Sequence, residues 1–127
     1  MSTPFEAKGE LIYPPDTGQP NATIPVNVTA NFDSKVDYEL SLTGSATQSV
    51  DMGTVIAPGA KAVLIEVDPD AAASPINVQF NGGGAGGQSE VSPGGFLFMG
   101  SPTPTTGITQ IDIVHTTNVK VRVRVLG

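Results

Sequence analysis

The chain contains no cysteine. That excludes a disulfide framework, and with it any thiolate acting as nucleophile or metal ligand. Tryptophan is also missing, and His115 is the single histidine. A zinc site needs three or four nitrogen or sulfur donors, which one imidazole does not supply. A catalytic triad needs its histidine held between a carboxylate and a nucleophile, and no Gly-x-Ser-x-Gly elbow presents such a serine. Basic residues are few: 6 against 12 acidic, a net charge of −6. Duplex binding needs cationic surface to displace counterions, so nucleic acid is not an expected partner. Long apolar runs are lacking as well. Phe96-Leu97-Phe98-Met99 falls far short of the roughly 20 residues that span a bilayer as a helix. The opening MSTPFEAKGE has neither the basic stretch nor the apolar stretch of a secretory leader, so the expectation is a soluble protein used where it is made, with no membrane partner. With two Tyr and five Phe, the stacking surfaces of a glycosidase cleft are scarce. A non-enzymatic protein without a cofactor is expected.

What the chain does have is punctuation and alternation. Fifteen glycines and eleven prolines in 127 residues argue for many short elements joined by turns, within one domain. From residue 23 onward apolar residues recur every second position. Ile24, Val26, Val28 and Ala30 share one parity, and after the NFDSK turn Val36, Tyr38, Leu40 and Leu42 resume the pattern. Shorter candidate strands follow at 47–52 and 53–57. Val63, Ile65 and Val67 alternate next, then Ile76, Val78 and Phe80. GFLFMG (95–100) reads as a strand, and ITQIDIVH (108–115) with VKVRVRVL (119–126) as a hairpin about a TTN turn. Period two with β-branched side chains marks half-buried strands. The predicted fold is all-β, an antiparallel β-sandwich with eight or nine strands, a jelly roll being one form of it. Residues 1–22, with four prolines and no sustained period, read as an extended N-terminal arm, and residues 23–127 as the sandwich domain.

The glycine run NGGGAGGQSEVSPGG (81–95) formally matches a dinucleotide fingerprint at Gly82, Gly84 and Gly87. Such a cradle needs a helix N-terminus facing the anion, and Pro93 with its flanking glycines stops a helix there. Gln88 also stands where a phosphate loop places lysine. The run is therefore expected to be a mobile connection between strands, opened by an Asn81-Gly82 turn. Asp68-Pro69-Asp70 is the best calcium candidate but lacks the ligand spacing of an EF-hand. His115 keeps step with Ile111 and Ile113, so it should point to the core or its rim as a hydrogen-bonded structural residue.

Three features suggest contacts with other molecules. The arm carries Phe5 and the cluster Leu11, Ile12 and Tyr13, more large apolar groups than a disordered tail usually has. Half of the basic residues, Lys120, Arg122 and Arg124, fall on one face of the last strand. They form either a solvated sheet face or a cationic ladder that meets an acidic surface. In Phe96-Leu97-Phe98-Met99 both parities are apolar. If the phenylalanines face the core, Leu97 and Met99 face outward, and the strand is either covered on both sides or buried there by another subunit.

Residues 92–127 carry a Ser-Pro-Gly-Gly turn (92–95), a short apolar strand, a Ser-Pro-x-Pro connector (101–104), Gly-Ile-Thr (107–109) and a terminal Val-Arg strand (121–127). This segment resembles the C-terminal part of small all-β virion proteins encoded by tailed bacteriophages. The resemblance implies a capsid decoration or cement protein on the virion surface, present in the host cytoplasm during assembly. It would associate with itself as a dimer or trimer and bind the major capsid protein. The alternative it leaves is a tail, baseplate or spike-associated sandwich with a role in adhesion.

Overall fold

The computed structural model describes residues 2–53, 55, 58–84 and 87–127. Most of the candidate strand at 53–57 and the centre of the glycine run (85–86) lie outside the described residues. The rest is strand and turn: β1 (Thr3–Tyr13), β2 (Ala22–Phe32), β3 (Lys35–Leu42), β4 (Ala46–Ser49), β5 (Ala62–Val67), β6 (Ile76–Phe80), β7 (Gln88–Val91), β8 (Phe96–Gly100), β9 (Ile111–His115) and β10 (Val119–Leu126). All pairings between them are antiparallel.

Eight strands make two four-stranded sheets, ordered β3-β10-β5-β8 and β4-β9-β6-β7. Their inner faces meet in an aliphatic core. Val63, Ile65, Val121, Val123 and Val125 from the first sheet oppose Ile76, Val78, Ile111 and Ile113 from the second, all essentially without exposure. The alternation dictates this arrangement: each of these strands turns most of its branched residues to one side, where burying one contributes about 1.5–3 kcal/mol. β10 lies centrally between β3 and β5, so its valines are covered by neighbours on both edges. Val36, Tyr38 and Leu40 extend the core along β3. The expected β-sandwich is present.

Two close approaches seal the sandwich. Gly59 has φ +120°, and a Cβ there would lie 2.5 Å from the Gly107 carbonyl carbon. Beside this contact Gly107 N–H donates to Pro58 O at 2.6 Å, and Ala60 bridges to Ile108. The second is the β6–β7 turn, where Asn81 and Gly82 take φ values of 52° and 71°. The Asn81 side chain accepts from Thr109 N–H at 2.9 Å and donates to Gly107 O at 3.0 Å, tying the turn to the 107–110 connector. Part of the glycine-rich segment is ordered as strand: β7 pairs with Ile76–Gln79 and places Val91 in the core.

β1 and β2 belong to neither sheet. They pair with each other from Thr3↔Phe32 to Tyr13↔Ala22 as an eleven-residue two-stranded ribbon. The segment read from the sequence as an arm supplies one strand and the turn; the alternating segment that follows supplies the other.

Candidate assembly interface

The register of the ribbon sorts its side chains sharply. Phe5, Ala7, Gly9, Leu11 and Tyr13 lie opposite Ala30, Val28, Val26, Ile24 and Ala22, and all point to one face. Glu6, Lys8 and Glu10 share the other face with Asn27, Thr29 and Asn31. One side is therefore apolar for its whole length. A two-stranded hairpin has no second layer of its own, so such a face needs cover from elsewhere.

Cover exists at the root. Asp33 and Ser34 N–H both donate to Gly127 O, and Lys61 Nζ donates to Asn31 O at 2.6 Å. Val28 Cγ2 lies so near Gly100 that a Cβ there would be 2.8 Å away, so glycine permits this approach. Phe5 packs on Phe32 with ring centroids 6.2 Å apart. Toward the tip cover runs out: Leu11 is 58% exposed, and Ile24, Val26 and Tyr13 more than 40%, while Ile12, 55% exposed, stands on the opposite face with Thr23.

Between the ribbon and the outer face of the first sheet lies a groove of about 570 Å³. Its floor is Leu64, Phe96 and Phe98, and its wall is β1 from Glu6 to Leu11 with Val26. This corrects the sequence-based parity of β8. Leu97 pairs with Ile65 and packs on the core, and Met99 pairs with Val63 on the same side. Phe96, 69% exposed, and Phe98 face outward instead. Both parities of FLFM are apolar, so the pairing with β5, not local composition, decides which pair turns in. Met99 keeps 41% exposure because β8 is an edge strand. Leu97 is not an open interface residue.

The basic ladder is also resolved. Arg122 stands between Glu39 and Glu66, and Arg124 between Asp37 and Leu64, on the outer face of the first sheet. Arg122 Nη2 bonds Asp37 Oδ1 at 2.9 Å, and Arg124 bonds Glu66 through Nη1 and approaches Asp37 at 3.7 Å. The acidic surface for the two arginines is thus supplied by neighbouring strands of the same chain. Lys120, opposite Ser41, makes no ion pair among the described residues.

The remaining candidates sit apart from this surface. His115 is 4% exposed, and its Nδ1–H donates to Gly44 O at 2.7 Å and, more weakly, toward Thr117 O at 3.3 Å. Both acceptors are carbonyls, which requires the proton on Nδ1. Asp70 Oδ1 accepts from Ala72 N–H at 2.9 Å, closing a local turn, and Asp68 is exposed beside it. Among the described residues no three His, Asp or Glu are grouped to hold a metal ion. On the second sheet Ser49, Asp112, Gln79 and Gln88 form one outward row. Asp112 there accepts from Ser49 Oγ at 2.7 Å and Gln110 Nε2 at 2.8 Å, so its carboxylate is satisfied within the chain.

Sequence reasoning missed the apolar face as a unit. Its two halves lie on strands joined only by register, and Ala7 and Gly9 weaken the signal on β1. The available clue was the parity match of Phe5, Leu11 and Tyr13 with Ile24, Val26 and Val28 across the proline-rich turn. No protein-family model matches this sequence, and neither a curated protein nor a solved structure matches the chain.

Proposed function

We propose that this chain is a structural virion protein, a capsid decoration or cement protein that associates with copies of itself and stabilises the major capsid lattice. The observation that carries the assembly part is the apolar face of the ribbon, uncovered over its distal half. Large exposed apolar patches mark surfaces that meet other molecules. The capsid setting rests on the resemblance of residues 92–127 to tailed-phage virion proteins. The strand order supports the jelly-roll form of the sandwich, since the first of the eight strands pairs with the last and the second with the last but one. In this role the sandwich is a rigid base and the ribbon a projecting clamp. Many weak contacts repeated over a lattice add avidity without any single tight site.

The test is light scattering on the purified protein, together with saturable binding to preformed capsid shells. A multimer that saturates shells at a fixed ratio is the expected result. A strict monomer with no affinity for shells would overturn the reading. Localisation of the protein on tails rather than heads by labelled antibody would replace the capsid part with the adhesion alternative.

A further inference from the structure

Resting on that assembly reading, we infer that the groove over Leu64, Phe96 and Phe98 is the seat for the ribbon tip of a second copy of this chain. Copies would then exchange ribbons.

The tip is built for dehydration. Between Leu11 and Phe32 the one charged residue is Asp16, in the turn. Residues 11–13 and 22–26 can therefore leave water without stranding a charge, whose burial is the large cost in an interface. The strands also carry Pro4 and Pro25, which have no N–H to offer along a strand edge. That disfavours docking by added strand pairing and leaves the apolar face as the contact.

The groove is its counterpart. Phe96 is the most exposed large apolar side chain among the described residues, and Phe98 and Leu64 extend the same floor. The chain's own ribbon stands over this floor without filling the space. Of the three charged residues that line its rim, two compensate each other inside the chain: Glu6 pairs with Lys8 at 3.0 Å. An uncharged tip thus enters without meeting an unpaired charge on that rim other than Glu10.

Size favours a reciprocal arrangement. The distal ribbon and the groove lining share Leu11 and Val26 and together involve about sixteen residues, short of the 20–30 a side of a standard interface but twice the distal ribbon alone. Neither half alone approaches that figure. In a closed exchange each copy gives a tip and receives one, so both uncovered surfaces are satisfied at once.

The absence of native cysteine makes a crosslinking test clean. A Tyr13→Cys chain and a Phe96→Cys chain, carrying tags of different mass, are mixed and mildly oxidised. The expected product is the mixed disulfide, about tenfold in excess of either homodimer. A Tyr13→Cys chain mixed with Gln88→Cys, on the far sheet, gives no such excess. In parallel, Leu64→Glu should abolish the multimer in light scattering while the far-ultraviolet spectrum stays that of the folded parent. A multimer without the Tyr13–Phe96 link overturns the seat and leaves the assembly reading standing. A monomer without shell affinity overturns both. Trapping of Tyr13→Cys on a capsid subunit, in place of a second copy, likewise overturns the seat.

Discussion

At the scale of single residues, the positions that matter most to the fold are not those with the most visible interactions. Arg122 and Arg124 bond carboxylates on adjacent strands, yet all the partners are about 40% exposed. Ion pairs at that exposure are screened and contribute little. Gly59 makes no side-chain contact, but any Cβ there enters the backbone of Gly107 while φ sits at +120°. Gly59→Ala should therefore lower unfolding stability by about 3 kcal/mol or more, through strain and a forced parting of two connectors. Arg122→Ala should cost no more than about 1 kcal/mol. Chemical denaturation of the two variants checks the ordering, and equal losses would show that the Gly59–Gly107 approach is not rigid.

At the scale of elements, the ribbon and the sandwich are separable. None of residues 2–32 is buried, whereas the core runs from Leu42 to Val125. Removing residues 10–25 and joining Gly9 to Val26 through an Asn-Gly turn should keep the unfolding free energy within about 1 kcal/mol, as for surface changes away from a core. The same variant should be monomeric in light scattering. Cooperative collapse of the sandwich would show that the tip also supports the fold. The legibility of the chain follows the same division. β3, β5, β6, β9 and β10 were readable because each puts most of its large apolar residues on one parity, with Leu64, Val114 and Leu126 the exceptions. β7 was not, since Val91 is its one core residue. β8 was readable as a strand but not in orientation, because Phe96, Leu97, Phe98 and Met99 satisfy either face. The neutralisation of Arg122 by Asp37 was hidden for a different reason. Those residues are 85 positions apart and meet only through strand order, which local pattern does not specify. The groove combined both obstacles: an unassigned orientation for β8 and an unassigned partner for β1.

At the scale of the whole molecule, charge and apolar surface make opposite demands on association. A net charge of −6 on 127 residues keeps copies apart, while the ribbon and Phe96 draw them together. Salt relieves the first and leaves the second, so self-association should strengthen as ionic strength rises. Sedimentation equilibrium at about 0.05 and about 0.5 M sodium chloride, roughly a threefold change in screening length, measures the trend. Dissociation at high salt would mean that ion pairs, not apolar burial, hold the copies. The order of the first sheet has a further consequence, for synthesis on the ribosome. Its central strand, β10, is the last to be translated, and β3 and β5 cannot be bridged until it emerges. Because sandwich formation waits on that long-range closure, the nascent polypeptide leaves the exit tunnel with its valine and isoleucine rows unpaired. Emergence of β10 is then the event that lets the sandwich close, and nascent chains stalled before it should be the ones that chaperones hold.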